Sequence, residues 1–581
     1  RMRPRALLYR ARSWLHRRDV TVWYDPRYRL PLSSLESSAG MEPRRADYAV
    51  WWLRESRAVP AAGFRNPRRV SFEDLARVHS HELLESLAHP QALAQVFAVD
   101  PSDVPVDEVM TTVRLACGGT LAAARESLRT RAPALNLLGG FHHAGPGSAG
   151  GYCPVNDVAV AVAALRAEGF TGRVAVLDLD AHPPDGIAAC LAGDRAAWIG
   201  SLSGSDWGPV PGADETVLPE GTGDPGYLEA LGALLSRMPR PALAFVLAGG
   251  DVLAGDRAGR LALTLGGARE RDLVVAMELE GVPSVWLPGG GYSRMAWRAL
   301  AGTGMAVAAG SLEPIPERYD PLSARFAVVS REMSPRDLSD SGELTAEDLE
   351  EALGMRPRHQ RLLLGFYTAS GLEHALFRYG IFEQLERMGY RQFRVAFDTA
   401  GLGERVRLYG EADAREHLLV ELVLERRRIA GAEVLYVHWL SLRNPRARFS
   451  LRRPQLPGQD VPGLGLAREA GSMLRRMAVR LGLAGVVIRP AHYHMAYAAR
   501  HEFAFIDPRR QGRFEALVRD LSGLSLLEST LAMAEGRVRL GGEPYAWEAD
   551  EMAHWLRAEG ARAAAVDEER ERTRFTVARR T

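Results

Sequence analysis

Three short apolar segments, each followed directly by polar or glycine-rich sequence, constrain the fold of this chain most strongly. They are residues 174–177 (VAVL), 245–247 (FVL) and 285–287 (VWL). Short apolar runs of this kind are typical of parallel strands that are buried on both faces. In open α/β sheets, binding and catalytic groups lie at the carboxyl ends of such strands. The sequence therefore predicts a parallel sheet flanked by helices, with a site where these three runs end.

Side chains that ligate metals follow the first two runs. Asp180 and His182 come just after residues 174–177, and Asp251 comes just after residues 245–247. Because Asp180 and His182 are two residues apart on an extended segment, their side chains point the same way. Carboxylate oxygens and an imidazole nitrogen suit Zn²⁺, or Fe²⁺ in its place. Three protein ligands leave a position open for water or substrate, which is the pattern of a catalytic metal site.

Further motifs surround these ligands in a fixed order. The chain contains a histidine pair at 142–143, the motif GYCPVND at 151–157, DLDAH at 178–182 and GGGY at 289–292. This ordered set resembles the zinc-dependent histone deacetylase family, which includes acetylpolyamine amidohydrolases and has an arginase-like α/β fold. The resemblance covers residues from about 22 to about 304. It implies hydrolysis of the amide of an N-acetyl-lysine or of another acetylated amine, on a protein or a small molecule.

The resemblance also implies a role for each site residue. His143 is expected to be the general base, with His142 as its electrostatic partner. Asp178 and Asp185 are expected to hydrogen-bond the two imidazoles. Tyr292 is expected to donate a hydrogen bond to the developing oxyanion. The residues expected to line the substrate channel or anchor the substrate are Asp103, Phe141, Gly151 and Tyr152.

One divalent ion is favoured over two. The arginase relatives of this fold bind two manganese ions through the motif D-A-H-x-D and a later D-x-x-D. Here Asp185 lies one residue too far from His182 to complete the first motif, and Asp251 is followed only by the distant Asp256. By resemblance to the family, a monovalent cation such as K⁺ is expected at the backbone of Asp178, Asp180, His182, Ser201 and Leu202.

Composition agrees with a globular chain of more than one domain. The 581 residues are 46% hydrophobic and 25% charged, which is ordinary for globular proteins. The net charge of +1 gives no overall field that points to nucleic acid or to a membrane. Three cysteines suggest no disulfide framework and favour a reducing cytoplasm. Residues 1–19 are basic and loosely amphipathic. A segment that lies on an anionic surface is one interpretation, but an extra or mis-started leader is favoured over it.

The chain is expected to divide into three parts. These are a deacetylase-like catalytic domain at residues 1–325, an acidic and serine-rich linker at 326–358, and a second α+β domain at 359–581. In the second domain, strand-like segments precede a glycine-rich turn, a helical run and a further strand. This arrangement resembles the GCN5-related N-acetyltransferase (GNAT) fold, which binds acetyl-coenzyme A at such a turn.

The expectation that the second domain binds coenzyme A rests on the glycine-rich turn. The family pattern Q/R-x-x-G-x-G/A appears with one extra residue, as Gln459, Gly463 and Gly465. These residues are expected to cradle the pyrophosphate of coenzyme A or acetyl-coenzyme A. The family's leaving-group tyrosine has no matching residue, since Tyr497 is one position away from its place. An ordinary glycine turn before a core helix is the alternative interpretation.

Two functions therefore remain open. In the first, the chain is a metal-dependent deacylase whose second domain has an accessory or regulatory role. In the second, the second domain is an acyltransferase or a coenzyme A sensor, and the hydrolase domain is vestigial. The complete ligand set of the first domain and the altered motif of the second favour the first function.

Overall fold

Two units make up the chain, residues 1–321 and residues 322–581. The structure is a computed structural model that describes residues 19–32, 35–310, 314–317, 319–339, 362–451, 453–556 and 563–578. The basic N-terminal segment up to residue 18 thus lies outside the described residues, as do residues 340–358 of the expected linker. No helix in the described ranges is long and apolar enough to cross a lipid bilayer.

An eight-stranded sheet forms the centre of the first unit. Its order is β2-β1-β3-β8-β7-β4-β5-β6, and every pair of neighbours is parallel. The predicted parallel sheet is therefore confirmed. The strands are β1 (Thr21–Trp23), β2 (Phe64–Arg65), β3 (Ala134–Asn136), β4 (Val174–Asp178), β5 (Ala197–Ser203), β6 (Ala213–Val217), β7 (Leu243–Leu247) and β8 (Ser284–Leu287).

The strand order brings four carboxyl ends together at the middle of this sheet. β3 and β4 follow one another in the sequence, but β8 and β7 lie between them in the sheet. A crevice forms where consecutive strands are separated in this way, and ligands bind there in α/β proteins. Every residue of β4, β7 and β8 is buried, so the polar residues that follow these strands emerge only at this edge.

Helices flank the sheet. The longest, Val106–Thr130, has the bounds that its apolar spacing predicts and buries the side chains of Val109 and Val113. Gly119 lets this helix approach β3, because a Cβ there would collide with the side chain of Asn136. The other helices of the unit are Leu35–Ala39, Arg45–Glu55, Phe72–Ala76, His81–Ser86, Pro90–Phe97, Asp157–Ala167, Asp185–Leu191, Asp224–Arg237, Leu265–Glu278 and Ala296–Ala309, with 3-10 turns at Pro26–Tyr28, Ala61–Gly63 and Pro101–Asp103.

The segment 201–221 is rich in Ser, Gly, Asp and Pro, a composition that predicts one long loop, but it contains strand residues. The end of β5 and all of β6 lie within it. Among the described strands, β6 is an edge strand that pairs with β5 alone, and its residues ADETV are partly buried or exposed. A polar edge strand has a loop-like composition because one side of it faces solvent, which is why the sequence pattern did not reveal it.

The second unit contains a seven-stranded sheet of order β14-β17-β13-β12-β11-β10-β9 and a three-stranded sheet of order β16-β15-β18. β9 to β12 form an antiparallel meander. The strands are β9 (Arg391–Ala400), β10 (Gly403–Ala412), β11 (Arg415–Ile429), β12 (Ala432–Leu442), β13 (Gly485–Ile488), β14 (Ala504–Phe505), β15 (Val538–Leu540), β16 (Glu543–Pro544), β17 (Met552–Trp555) and β18 (Phe575–Val577). The helices are Pro321–Glu332, Pro335–Ser339, Ala369–Arg378, Ile381–Arg387, Ala467–Arg480, Tyr493–Ala499, Pro508–Asp520, Leu526–Ala534 and Ala563–Arg572.

β12 and β13 are joined by the helix Ala467–Arg480 and run parallel. They pair only where Leu435, Tyr436 and Val437 face residues 486–488. Beyond this point, the last part of β12 pairs with β11 alone among the described strands. The unit is thus a mixed sheet with a helical crossover at the place where the sequence has its glycine-rich turn.

Part of the expected linker is helical. The helices Pro321–Glu332 and Pro335–Ser339 include residues 326–332 and 335–339 of it, and the division into units falls after the first residue of the first helix. Phe326 and Leu338 are each 1% exposed, and the Phe326 ring lies 4.5 Å from that of Tyr379. These apolar residues anchor the helices. The segment as a whole is acidic and serine-rich, so its average composition predicted a linker instead of helices.

Candidate active site

Asp180, His182 and Asp251 converge where β4 and β7 end. The Nδ1 atom of His182 lies 3.0 Å from Asp180 Oδ1 and 3.0 Å from Asp251 Oδ2. One ligand atom from each residue lies within 4.8 Å of the others. The structure thus brings the three residues predicted as metal ligands together from two adjacent strands.

Charge and burial at this cluster suit a divalent cation. Both carboxylates are fully buried. Burial and the charge of Asp180 raise the pKa of Asp251 to about 7. Burial disfavours the charged form of His182, but the two carboxylates outweigh it and raise its pKa to about 11. Two buried carboxylates side by side are costly without a positive partner, and a metal ion bound by both and by a neutral imidazole supplies that charge.

Backbone groups hold the two carboxylates in place. The N–H of Gly290 donates to Asp180 Oδ2 at 2.6 Å, and the N–H of Ala181 donates to Asp251 Oδ1 at 3.1 Å. A Cβ at Gly290 would lie 2.5 Å from Asp251 Oδ2 and 2.9 Å from Asp180 Oδ2. Only glycine fits this close approach, so the glycine run after β8 shapes the site.

The two adjacent histidines have separate carboxylate partners. His142 Nδ1 lies 2.8 Å from Asp178 Oδ2, and His143 Nδ1 lies 2.7 Å from Asp185 Oδ1. Asp178 ends β4, whereas Asp185 begins the helix Asp185–Leu191. A carboxylate on one ring nitrogen fixes the tautomer and leaves the other nitrogen for chemistry.

The surroundings of the two imidazoles push their pKa values apart. Burial disfavours the charged form of both rings. In His142, the charges of Asp178 and Asp180 outweigh burial and raise the pKa to about 9. In His143, burial and the charge of His142 lower the pKa although Asp185 acts in the opposite direction. Such pairs mark acid and base assignments in active sites, and His143 is the member able to accept a proton near neutral pH.

Tyr292 follows the glycine run after β8 and is 7% exposed. Its backbone N–H donates to Asp256 Oδ2 at 2.7 Å, and its ring centroid lies 5.0 Å from that of Tyr152. Burial and the charges of Asp180 and Asp251 raise the pKa of Tyr292 well above its usual value. The hydroxyl therefore keeps its proton and is available as a hydrogen-bond donor.

A cavity of about 40 Å³ lies beside these groups. Asp103 is 8% exposed in the 3-10 turn Pro101–Asp103 and is not among the described residues that line this cavity. Gly151 has φ +55°, and a Cβ there would collide with the His143 ring. The predicted site residues that do line the cavity are Phe141, His142, Gly151, Tyr152 and Tyr292.

Trp207 lies at the site and has no signal in the sequence. It belongs to the segment between β5 and β6, and its indole stacks on the His143 ring at 5.2 Å between centroids and 27° between planes. Its centroid also lies 5.8 Å from that of His182. Because Trp207 is 57% exposed, it presents an aromatic surface to solvent next to the histidines.

Arg45 is a second residue that the sequence reasoning missed. It begins the helix Arg45–Glu55, is 8% exposed and lines the cavity beside the site. Its guanidinium donates to the carbonyl of Gly289 at 3.0 Å. It brings a buried positive charge close to Tyr292 and the two ligand carboxylates. In the sequence it is one of many arginines, so nothing distinguished it.

Asp157 positions the loop that carries the histidines. Its carboxylate accepts from the backbone N–H of Phe141 at 2.8 Å and of Gly140 at 3.1 Å, and from the Thr120 hydroxyl at 2.6 Å. It is fully buried. The asparagine and aspartate that end the motif at 151–157 were the available signal for this role.

The expected monovalent-cation site contains a polar atom without a partner. Ser201 on β5 pairs in register with Asp178 on β4 and is fully buried. Within the described part of the chain, its Oγ atom has no hydrogen-bond partner. A bound cation next to Asp178 would satisfy that oxygen.

In the second unit, the glycine-rich turn precedes the helix Ala467–Arg480 as predicted. Gly465 has φ +71°, and the helix start has no side-chain cap. However, Glu469 lies buried in the first turn, where its charge opposes a phosphate. The side chain of Gln459 accepts from the N–H of Leu456 at 3.1 Å. The turn and an uncapped helix start are therefore present, but Glu469 is an acid in the first turn, where phosphate would bind.

Comparisons with known proteins match the first unit. The family model described as histone deacetylase domain matches residues 39–307. Histone deacetylase 2 of Arabidopsis thaliana is 28% identical over 301 residues, which are 48% of this chain and 77% of that protein. Histone deacetylase 1 of Homo sapiens is 28% identical over 255 residues, 39% of this chain and 52% of that protein.

A further relative is an uncharacterized protein of Picosynechococcus sp., which is 36% identical over 188 residues. These residues are 31% of this chain and 62% of that protein, so the chain spans less than two thirds of this relative's length. Every site residue named above for the first unit lies within the range that the family model matches. The first unit therefore contains a histone deacetylase domain at residues 39–307.

Proposed function

We propose that the first unit is a metal-dependent amidohydrolase that removes the acyl group from an acylated amine, with N-acetyl-lysine or an acetylated small amine as the substrate class. The observation that carries this proposal is the convergence of three ligand side chains with a histidine pair and a tyrosine hydroxyl at one sheet edge. The match to a histone deacetylase domain supports the same chemistry.

Asp180, His182 and Asp251 would hold the metal ion, zinc or ferrous iron. When bound, such an ion supplies positive charge that polarises an amide carbonyl and makes water more acidic. The two carboxylates and the imidazole form the donor set that these ions prefer. The backbone N–H groups of Ala181 and Gly290 keep the carboxylates oriented for that purpose.

His143 would take the proton from the attacking water and later give it to the leaving amine. A neutral amide is a poor electrophile, so a positioned base contributes strongly to its hydrolysis. The Asp185 contact holds the proton of His143 at Nδ1, which leaves Nε2 to act as the base. His142, whose partner is Asp178, would supply positive charge next to the reaction.

Tyr292 would donate its hydroxyl to the oxygen that becomes negative as the carbonyl is attacked. Its raised pKa keeps that proton in place, and preorganised donors of this kind contribute most in buried sites. Phe141, Gly151 and Tyr152 would wall the channel for the acylated side chain, and Trp207 would add an aromatic surface over His143. Asp103 as an anchor for the substrate backbone stays a prediction.

A panel of substrates tests the proposed function. The full chain, loaded with zinc or ferrous iron, is assayed against acetylated lysine peptides, longer acyl-lysine peptides and acetylated polyamines. We expect amine release from at least one of these classes. No turnover on any acylated amine, in protein shown to contain metal, would contradict the proposal.

The Asp185→Asn variant tests the role of His143. Loss of a carboxylate that supports a functional histidine typically costs about ten- to a hundredfold in activity, and we expect that loss here. Because Asp185 stabilises the charged form of His143, its removal lowers the pKa of His143 further. The acid limb of the kcat/KM profile should therefore move to lower pH.

Asp194→Asn is the matched control for this variant. Asp194 pairs with Arg166 in the same unit, away from the site residues. The rate and pH profile of Asp194→Asn should therefore match those of wild type. An acid limb that moves to higher pH in Asp185→Asn, or a rate equal to that of wild type, would assign the base to another group.

The monovalent cation is part of the same proposal. Potassium would lie against Ser201 and the backbone of the segment that holds Asp178, Asp180 and His182. The buried Ser201 Oγ atom supports this, since a buried hydroxyl without a partner is unfavourable.

For the second unit, we propose a GNAT-like fold without transferase activity. The crossover helix between the parallel strands β12 and β13 and the turn at Gly465 support the fold. The buried Glu469 does not fit the phosphates of coenzyme A. We therefore assign no reaction step to coenzyme A. The alternative in which the chain is an acyltransferase or a coenzyme A sensor is not favoured.

Calorimetry of the full chain with coenzyme A tests this view of the second unit. We expect at most weak binding in the millimolar range, and no acyl transfer from acetyl-coenzyme A. Tight binding that Gly465→Asp abolishes, through a carboxylate placed at the phosphate position, would restore the coenzyme A alternative.

A further inference from the structure

The second unit encloses an apolar cavity of about 120 Å³. It lies between one face of the meander β9 to β12 and the helices Ala369–Arg378 and Ala467–Arg480. Its walls consist mainly of leucine, valine, isoleucine, methionine and alanine side chains, together with two tyrosines and two arginines. Examples from the sheet and the helices are Val406, Leu408, Leu422, Leu376, Leu474 and Met477.

A cavity with such walls favours a hydrocarbon occupant. Protein interiors are close-packed, and an empty cavity lowers stability in proportion to its volume. Water gains little there, because a buried water needs several polar partners. An engineered apolar cavity of about 150 Å³ takes up a six-carbon ring. By that measure, the cavity in this unit suits a chain of about four to six carbons.

Two positive charges border this apolar volume. Arg476 and Arg480 are the charged residues among the described side chains that line it, and they lie one turn apart on the helix Ala467–Arg480. The guanidinium of Arg480 is occupied, since it donates to the carbonyls of Met333 and Ser330. Arg480 therefore belongs to the wall rather than to a binding group.

Arg476 is in a different situation. Its Nε atom is buried without a hydrogen-bond partner, and among the described residues it forms no ion pair. Its neighbours Arg475 and Arg331 add positive charge, and together with burial they lower the pKa of Arg476. Arg475 itself is paired with Glu502. Arg476 is partly exposed, but its buried Nε–H donor without a partner, next to further positive charge, favours an anion at this position.

We propose that this cavity binds a fatty carboxylate with a chain of about four to six carbons, with the chain among the apolar walls and the carboxylate on Arg476. The apolar volume selects the chain, and Arg476 selects the charged end. This proposal does not depend on the proposed function of the first unit. Hydrolysis of an acyl amide releases a carboxylate, so the ligand belongs to the same chemical class as the product of that reaction.

Calorimetry on the full chain with hexanoate tests the proposal, with acetate and hexanol as probes that lack the chain or the charge. Each methylene group removed from water contributes about fourfold in affinity. Because hexanoate has four more methylene groups than acetate, it should bind about 250-fold tighter than acetate, and it should also bind more tightly than hexanol. Equal affinity for hexanoate and acetate would overturn the apolar part of the proposal, and equal affinity for hexanoate and hexanol would overturn the carboxylate part.

Variants locate the binding site. Arg476→Gln should weaken hexanoate binding by about ten- to a hundredfold, as expected for a lost hydrogen bond to a charged group, and should leave hexanol unchanged. Arg476→Lys should retain most of the affinity for hexanoate. Arg415→Gln removes an exposed arginine from β11 and is the matched control, which should bind like wild type. Hexanoate binding that survives Arg476→Gln in full would overturn the proposal.

Two further variants test whether hexanoate binds in this cavity or elsewhere on the chain. Ala470 lines the cavity, so Ala470→Leu should fill part of it and weaken the binding of hexanoate and hexanol alike. A carboxylate also binds metal ions, and Asp180→Ala removes a proposed ligand in the other unit. Hexanoate binding that persists in Asp180→Ala supports the cavity, whereas binding lost in that variant places the carboxylate at the metal and overturns the proposal. Either outcome leaves the test of deacylase activity unaffected.

Discussion

The Asp180→Ala variant is expected to lose its divalent metal ion and, with it, deacylase activity down to the background of the assay. Asp180 is one of the three proposed ligands and also contacts His182, which is another. Two remaining ligands hold zinc or ferrous iron poorly, because such sites need at least three protein ligands. Elemental analysis should find about one ion per chain in wild type and almost none in the variant.

Glu278→Ala is the matched control for this measurement. Glu278 is an exposed acid at the end of the helix Leu265–Glu278, so its removal should change neither metal content nor rate. Circular dichroism should show that Asp180→Ala remains folded, since the substitution also relieves repulsion between two buried carboxylates. Two metal ions per chain in wild type, or full metal content in Asp180→Ala, would refute the ligand assignment.

The Tyr292→Phe variant is expected to lower turnover by about a hundred- to a thousandfold, the usual cost of losing one oxyanion donor. In the proposed role, the hydroxyl would interact weakly with the carbonyl oxygen of bound substrate and strongly with the charged oxygen that forms on attack. Metal content should stay normal, since Tyr292 is not a ligand. The binding constant of an acetylated substrate should change much less than the rate, as expected for an interaction made in the transition state.

Tyr319→Phe serves as the control for this variant. Tyr319 accepts a hydrogen bond from Trp51 at 2.6 Å in the same unit, away from the site, so its loss should leave turnover unchanged. If Tyr292→Phe deacylates at the wild-type rate, the oxyanion must be stabilised by another group. Arg45, whose guanidinium lies in the same cavity, would then be the next residue to test.

Much of the first unit follows from local sequence patterns. The apolar runs before Asp180, Asp251 and Tyr292 are strands of the parallel sheet. The apolar spacing at 106–130 is one helix with those bounds. These elements were predictable because a short strand buried on both faces has no polar residue, so its polar neighbours must lie at its ends.

Sequence patterns failed where packing overrides composition. β6 looks polar because it is an edge strand, and residues 326–339 look like a linker although Phe326 and Leu338 bury fully. In each case, a few residues placed by tertiary contacts outweigh the average character of the segment.

By itself, the sequence determined which residues of the first unit are candidates for its chemistry: the histidine pair, three potential metal ligands at strand ends and a tyrosine after a glycine run. Only the tertiary structure decided their partners. The order of β3, β8, β7 and β4 in the sheet brings these groups to one edge, and packing alone places Trp207 on His143 and leaves Arg476 beside an apolar cavity. The physical reason is that local pattern reports burial and periodicity, whereas contacts between distant residues depend on strand order and on the shapes of packed side chains.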